Sequence, residues 1–340
     1  MIKNSDRTGL FYRIALRVPF RWLTARDGML VRGAVGWGEF SPFWDYDDAA
    51  SAPWLASASE AAEVGWPTPV RSTVPVNAII PAVSPARARE LVRHSGGCQT
   101  AKVKVAQRIS AASLIVEPLD DEVERIAAVR AALDDLYGKG VGKIRVDANG
   151  GWTVPEAIVH IKELNKAAGG LEYVEQPCRT VEELAELRRA LARRGIAVPI
   201  AADESIRLAT DPFRVRDLEA ADIAVLKVAP LGGVRAALRI AEQLKMPVVV
   251  SSAIETSIGL AAGLALAGAL PELPYACGLA TGNLLTWDVI AEPLRPMNGH
   301  LPVLPANSPR LRPTEEPRWR ASATLAAKWQ SRYQQVRTRM

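Results

Sequence analysis

Apolar and polar side chains alternate along residues 10–40, and glycines interrupt the alternation at turns. A period of two is typical of strands with one buried face, so this pattern predicts a small antiparallel sheet. The next stretch, residues 45–66, is rich in tryptophan and alanine and is predicted to be helical. From about residue 73, short β-branched runs alternate with segments of helical period, which indicates repeated βα units.

Eight strands are predicted in this second part of the chain, at 74–80, 100–105, 143–147, 171–175, 199–203, 222–227, 247–252 and 275–279. Helices are predicted between them at 120–136, 154–167, 181–194, 233–244 and 256–267. Eight strands with helices between most successive pairs, over about 210 residues, favour a TIM-type barrel over an open doubly wound sheet. No Gly-x-Gly-x-x-Gly follows the first strand, which counts against a dinucleotide-binding fold.

The composition is that of a globular protein, since 49% of residues are hydrophobic and 23% are charged. The longest apolar run, residues 258–270, is too short to span a bilayer and predicts a buried helix. The N-terminus shows no export signal. The three cysteines are widely spaced and odd in number, so they form no metal-ligand pattern. Such cysteine usage predicts a reducing compartment. We therefore expect a cytoplasmic protein.

The net charge is +5, and much of the excess lies in the tail after Pro317. A basic tail is one route to nucleic acid, but a solvated helix that docks through Leu325, Trp329 and Tyr333, at four-residue spacing, is favoured. A modest positive field also suits a small anionic substrate. Neither a nucleic-acid nor a membrane partner is predicted, and the oligomeric state stays open, with a monomer among the options.

Polar and charged residues end one predicted strand after another: Lys102 and Lys104, Asp147, Glu175, Asp203, Lys227, and Ser251 with Ser252. In a barrel, these strand ends form the active-site face. Asp147, Glu175 and Asp203 follow each other at 28-residue steps, about one βα repeat, so three carboxylates would meet around one point. Such a cluster requires a cation, and all-oxygen ligands favour Mg²⁺ first and Mn²⁺ second.

The lysines would face these carboxylates. The period of two places Lys102 and Lys104 on the same side of their strand, and Lys227 ends a strand across the barrel. A metal-bound carboxylate substrate would lie between Lys104 and Lys227, where its α-proton could be removed. Each residue alone also fits a turn, a helix cap or an exposed edge. Six charged residues in order at successive strand ends favour a shared function.

Several motifs resemble those of the enolase superfamily: Lys-x-Lys at 102 and 104, Asp-Ala-Asn-Gly-Gly-Trp at 147–152, Val-Glu-Gln-Pro at 174–177, Ala-Asp-Glu-Ser at 202–205, and Lys227 followed by Leu-Gly-Gly at 231–233. They resemble the branch that contains muconate lactonizing enzymes and o-succinylbenzoate synthases. The resemblance runs from Gly-Trp-Gly-Glu-Phe-Ser-Pro at 36–42 to Gly-Asn-Leu-Leu at 282–285.

The resemblance implies an α/β protein, a modified TIM-type (β/α)7β barrel with an α+β capping domain formed from both chain ends. Residues 1–72 would form the N-terminal part of the cap, 73–290 the barrel, and 291–340 a segment packing on both. The resemblance also implies individual roles: Asp147, Glu175 and Asp203 as Mg²⁺ ligands, Lys104 as catalytic base, Lys102 as its partner, Lys227 as the lysine across the site, and Asn149 as support for the metal ligands.

Residues beyond the strands narrow the choice within the superfamily. Mandelate-racemase-like members use a histidine after the seventh strand, whereas the three histidines of this chain lie elsewhere. Dipeptide epimerases carry Asp-x-Asp after the eighth strand, but residues 277–283 contain no carboxylate. Segments 251–259 and 280–285 look more like o-succinylbenzoate synthases. Ser251, Ser252 and Ala253 are therefore predicted to bind substrate, with backbone N–H groups at 252–253 and near Thr256 suited to its anionic end.

The implied reaction is Mg²⁺-dependent syn dehydration of 2-succinyl-6-hydroxy-2,4-cyclohexadiene-1-carboxylate in menaquinone biosynthesis, by a carbon–oxygen lyase. The alternatives are an N-acylamino acid racemase or muconate cycloisomerase of the same superfamily. Outside it stands a Schiff-base aldolase that uses Lys227, and a non-catalytic binding protein is least favoured. Arg21, Arg26 and Arg207 are weak candidates for substrate contact, each better explained as a surface residue.

Overall fold

The structure, a computed structural model, describes residues 9–20, 23–108 and 116–340, so Arg21 lies outside the described residues. Strands β1 (Leu10–Phe20), β2 (Leu23–Arg32) and β3 (Trp37–Phe40) form an antiparallel sheet with β2 in the centre. The small sheet predicted for residues 10–40 is therefore confirmed. The predicted helical stretch that follows contains α1 (Asp48–Ser59) and a short π-helix (Glu60–Val64).

The C-terminal helix, α10 (Ala323–Arg337), returns to pack on this sheet. Trp329 and Tyr333 are buried, with their ring centres 5.9 and 6.1 Å from that of Phe40. The predicted docking of this helix is confirmed, but its basic residues are not all solvated. Arg332 is buried because its guanidinium donates to the carbonyls of residues 42, 43 and 46.

The rest of the chain contains β4 (Thr73–Pro75), β5 (Ala78–Ile80), α2 (Pro85–Arg93), β6 (Thr100–Lys104), α3 (Leu119–Tyr137), β7 (Lys143–Asp147), α4 (Val154–Ala168), β8 (Leu171–Glu175), α5 (Val181–Arg193), β9 (Ile200–Ala202), α6 (Glu204–Arg207), α7 (Arg214–Asp217), β10 (Ile223–Lys227), α8 (Val234–Leu244), β11 (Val248–Ser251), α9 (Ser257–Ala269) and β12 (His300–Pro302). Within the described ranges, β5 to β11 form a seven-stranded parallel sheet in chain order.

The two ends of the predicted barrel differ from expectation. The predicted first strand, 74–80, is divided: β4 pairs antiparallel with β12, and β5 opens the parallel sheet. The predicted eighth strand, 275–279, makes only isolated bridges, from Cys277 to Val76 and from Gly278 to Ser251. Prolines 271 and 274 precede these bridges and cannot donate to a longer ladder. The bridges still join the two edges of the curled sheet.

Helix α9 lies between the cap and the barrel, where it contacts β3, β4 and β11. Its sequence is apolar on all sides, and almost every residue in it is buried, as predicted for this run. In the part of the chain that the structure describes, no helix is long and apolar enough to cross a membrane.

Candidate active site

The register of the parallel sheet brings the predicted site residues to one level. Lys104 pairs with Asp147, Asp147 with Glu175, and Lys227 with Ser251 across neighbouring strands. Each of these residues is the last of its strand, and Asp203 directly follows β9. The C-terminal rim of the sheet therefore collects the charges that the sequence singled out.

Two lysines of β6 bind two of the carboxylates. Lys102 Nζ donates to Glu175 Oε1 at 2.5 Å and lies 2.8 Å from Asp147 Oδ2. Lys104 Nζ donates to Asp147 Oδ2 at 2.5 Å and to Asn149 Oδ1 at 2.6 Å. The alternation along β6 thus aims both ammonium groups into the site, while Val103 between them is buried in the hydrophobic core.

The third carboxylate, Asp203, is held from both sides. Lys227 Nζ donates to its Oδ2 at 2.5 Å, and Arg207 Nε donates to its Oδ1 at 3.0 Å. Arg207 also donates to the hydroxyl of Tyr46 in the cap at 2.6 Å. The prediction that Arg207 is a surface residue is wrong, because helix α6 carries it into the cavity wall beside Asp203.

Arg26 is likewise buried, not at the surface as predicted. Its guanidinium carbon lies 4.4 Å from the centre of the Phe43 ring. It donates through Nε to the carbonyl of Ala253 at 3.3 Å and through one terminal nitrogen to the carbonyl of Ser41 at 2.5 Å. These contacts stabilise its charge within the protein and link the cap to the barrel.

The charges perturb one another strongly. Burial alone would raise the pKa of Asp147, but Lys102 and Lys104 outweigh it and hold that pKa well below its usual value. The cations beside Asp203 likewise overcome the effect of burial and lower its pKa. Glu175 differs: burial and the charge of nearby Asp147 raise its pKa to about 7. Of the three carboxylates, Glu175 is therefore the least well compensated.

A divalent cation fits this imbalance. Glu175 Oε2 is buried and accepts no hydrogen bond from the described residues, and such an oxygen is costly to bury without a partner. Asp147, Glu175 and Asp203 would hold the cation, and oxygen ligands suit a hard ion. Across the described ranges, no three metal-ligating side chains already surround one point. Lysine ammonium groups instead bind one oxygen of each carboxylate.

A cavity opens above these residues, with Lys104 and Lys227 both in its wall. The cap supplies three aromatic side chains that the sequence did not single out, those of Phe20, Phe43 and Trp54. The ring centre of Phe20 lies 5.2 Å from Lys104 Nζ. Phe20 ends β1, Phe43 follows β3 and Trp54 lies within α1, so no shared local pattern distinguishes them from core residues.

The predicted substrate-binding residues Ser251, Ser252 and Ala253 also line the cavity. Two of the backbone N–H groups predicted to receive an anion are already bound, however. The N–H of Ala253 donates to Glu255 Oε2 at 2.7 Å, and that of Thr256 to Glu39 Oε2 at 3.0 Å. The prediction that these two amides bind the substrate is therefore wrong, because buried carboxylates occupy them.

Glu255 gives a prediction about pH. Burial and the nearby charge of Glu39 raise its pKa to about 7 from 4.5. The folded chain holds this proton more tightly than the unfolded chain, so stability falls as the pH rises from about 4.5 through 7. Glu255→Gln should remove on the order of 3 kcal/mol of that fall. Urea unfolding at pH 5 and pH 8 measures it, with exposed Glu272→Gln as control. Equal pH slopes in wild type and Glu255→Gln would contradict this assignment.

Comparison with known families agrees with the arrangement of the site. A family described as "Enolase C-terminal domain-like" matches residues 85–308, and one described as "Enolase N-terminal domain-like" matches residues 11–62. An o-succinylbenzoate synthase from Thermobifida fusca is 58% identical over 296 residues, 87% of each chain. Another from Mycobacterium tuberculosis is 50% identical over 290 residues, which cover 85% of this chain and 82% of that relative.

Solved structures show a similar fold at lower identity. An L-Ala-D/L-Glu epimerase from Bacillus subtilis superposes with a TM-score of 0.73 at 23% identity, over 89% of this chain and 96% of the other. A muconate lactonizing enzyme from Pseudomonas fluorescens gives 0.73 at 21% identity, over 92% and 98%. These similarities bear on the barrel and its cap, and at such identities they do not extend to the substrate.

Proposed function

The chain belongs to the enolase superfamily and, within it, to the o-succinylbenzoate synthase family, and on that premise we propose its reaction. The reaction is syn dehydration of 2-succinyl-6-hydroxy-2,4-cyclohexadiene-1-carboxylate to o-succinylbenzoate, a carbon–oxygen lyase step of menaquinone biosynthesis. The observation that carries the proposal is the 58% identity to a synthase over 87% of the chain, joined to a cavity with Lys104 and Lys227 in its wall.

Enolase superfamily members generally depend on a divalent metal. We propose Mg²⁺ for this chain, with Mn²⁺ as a substitute, held by Asp147, Glu175 and Asp203 and supported by Asn149. When bound, the ion would supply Lewis-acid stabilisation of the negative charge that develops on the substrate carboxylate. The orphaned oxygen of Glu175 supports this assignment.

Lys104 is the proposed base. Its Nζ, in neutral form, takes the proton from the carbon that bears the carboxylate, and the electrons of that C–H bond are delocalised onto the carboxylate. These electrons then form a new double bond in the ring as the bond to the neighbouring hydroxyl breaks. The same nitrogen returns the proton to that hydroxyl, which leaves as water from the same face. Lys102, bound to Asp147 and Glu175, keeps its charge beside the base.

Lys227 is proposed to stay protonated and to stabilise the developing negative charge electrostatically. Its position in the cavity wall and its 2.5 Å contact with Asp203 support that role. The aromatic side chains of the cap, Phe20, Phe43 and Trp54, offer an apolar surface suited to a flat ring. The substrate is thus a small carboxylate anion enclosed between the cap and the barrel.

One pair of assays tests the proposal. Because Lys104 and Lys227 both line the cavity, racemisation of N-succinyl amino acids, with a proton exchanged at each face, is the competing activity. We expect dehydration of the cyclohexadiene substrate to have the higher kcat/KM, since the aromatic side chains of Phe20, Phe43 and Trp54 in the cavity wall suit a flat ring better than a flexible acylated amino acid. Both activities should be measured on one preparation, with and without EDTA. A higher kcat/KM for racemisation would show that the synthase assignment is wrong and that the chain is an N-acylamino acid racemase.

A further inference from the structure

The Gly-Trp-Gly-Glu motif of the cap ends in a carboxylate that the proposed reaction does not use. Glu39, on β3, is buried and accepts hydrogen bonds from Tyr12 Oη at 2.6 Å and Ser41 Oγ at 2.9 Å within the cap. From the barrel it accepts the N–H groups of Thr256 at 3.0 Å and Gly259 at 3.2 Å, and the Thr256 hydroxyl. One cap side chain therefore binds the start of barrel helix α9.

Two features make this contact specific. The first N–H groups of a helix have no hydrogen-bond partner within the helix. A carboxylate there accepts hydrogen bonds from them and also interacts favourably with the positive end of the helix dipole. A Cβ atom on residue 259 would lie 2.9 Å from Glu39 Oε2 and 2.6 Å from Glu255 Cβ, so only glycine admits the approach. Gly259 and Glu39 are thus matched across the boundary between cap and barrel.

Arg26 makes a second link to the same segment. Its Nε donates to the carbonyl of Ala253, while another nitrogen donates to Ser41, which itself donates to Glu39. The segment between these anchors, residues 252–256, forms part of the cavity wall through Ser252, Ala253 and Ile254. Both ends of this wall are therefore attached to buried charged side chains of the cap.

We propose that Glu39 and Arg26 are positioning residues that fix the 252–256 wall and so determine how tightly the substrate is bound, without touching it. Glu39 and Arg26 should affect substrate binding more than proton transfer. The catalytic lysines Lys104 and Lys227 lie on β6 and β10, not in the 252–256 wall, and are held in place by Asp147 and Asp203. The activity readout rests on the proposed function, whereas the motion of the wall can be measured without any substrate.

Glu39→Gln tests this inference. The amide keeps the size of the side chain but presents a donor to groups that already donate, so hydrogen bonds to Thr256 or Gly259 are lost. We expect KM for the cyclohexadiene substrate to rise about tenfold, the effect of one lost hydrogen bond, with kcat changed less than about threefold. Hydrogen–deuterium exchange of a peptide covering 252–260 should be faster than in wild type. Arg26→Lys, which keeps the charge but loses the planar fork, should shift both quantities in the same direction.

Asp27→Asn is the matched control. Asp27 is another buried cap carboxylate, and it accepts hydrogen bonds from the indoles of Trp44 and Trp329 inside the cap. The Asp27→Asn variant should have a lower melting temperature, while its KM and the hydrogen–deuterium exchange of residues 252–260 should stay unchanged. If Glu39→Gln behaves like this control, the inference is overturned and Glu39 is only structural. If wild type does not turn over the substrate, the proposed function fails, and the exchange comparison still decides the role of Glu39.

Discussion

Lys104→Ala is expected to lower kcat for dehydration by at least ~10²–10⁴-fold, the usual contribution of a positioned general base. The loss should lie at the upper end, because the same nitrogen is proposed to take the α-proton and to return it to the leaving hydroxyl. The fold should survive, since Asp147 keeps its contact with Lys102 when Lys104 is removed. Steady-state kinetics measure the loss, and an unchanged Mg²⁺-induced rise in melting temperature shows that the carboxylates remain in place.

Lys143→Ala provides the control, because Lys143 lies exposed at the opposite end of a barrel strand. It should change kcat little. Lys227→Ala should be about as damaging as Lys104→Ala, and Lys227→Arg should restore little activity, since a planar guanidinium does not reproduce a compact ammonium. Near-normal turnover by Lys104→Ala would show that the proposed base is wrong.

The strand ends could be predicted because their pattern is local. The barrel strands are short, and five of the seven described strands in the parallel sheet end in a polar residue, so Asp147, Glu175 and Lys227 mark where their strands end. Helices with a clear period and caps were predicted within one or two residues, as for α5, where Thr180 and Glu183 form a capping box. Parallel pairing then brings these ends together without further information.

The contacts between cap and barrel could not be predicted in this way. Glu39 meets Thr256 across 217 positions of sequence, and Arg26 meets Ala253 across 227. No local pattern indicates that these side chains have buried partners. Arg26 and Arg207 therefore resembled surface residues, and the backbone amides near Thr256 resembled a free anion site. Helix α2 was also missed, because its exposed face is polar and only Ala88 and Val92 are buried.

The irregular closure of the barrel has the same origin. Residues 275–279 have the composition of a strand. They form only one isolated bridge with each neighbouring edge, from Cys277 to Val76 on one side and from Gly278 to Ser251 on the other. Whether a short run forms a strand depends on what its neighbours present, and that is a property of the assembled sheet. Cys277 and Gly278 nevertheless join the first and last strands, which keeps Ser251 close to the rest of the site.

Mg²⁺ is expected to raise the melting temperature of this protein, and Glu175→Gln to abolish both that rise and the dehydration. An ion that binds only the folded chain adds about 2.7 kcal/mol of stability at a concentration 100 times its Kd. Glutamine keeps the size of Glu175 but removes the charge of the one site carboxylate whose buried oxygen has no hydrogen-bond partner in the described residues. Calorimetric melting with Mg²⁺ and with EDTA measures the first effect, and the dehydration assay measures the second.

Asp147→Asn and Asp203→Asn should give the same result, because each removes one proposed ligand. Asp222→Asn is the control: this carboxylate lies at the opposite end of the barrel, where it binds Arg188 and the N–H of Ile200. It should keep both the Mg²⁺-induced rise and turnover. A melting temperature insensitive to Mg²⁺, together with full activity in EDTA, would show that Lys102, Lys104 and Lys227 alone neutralise the carboxylates and that the rim of the barrel is an ion-pair network without a metal.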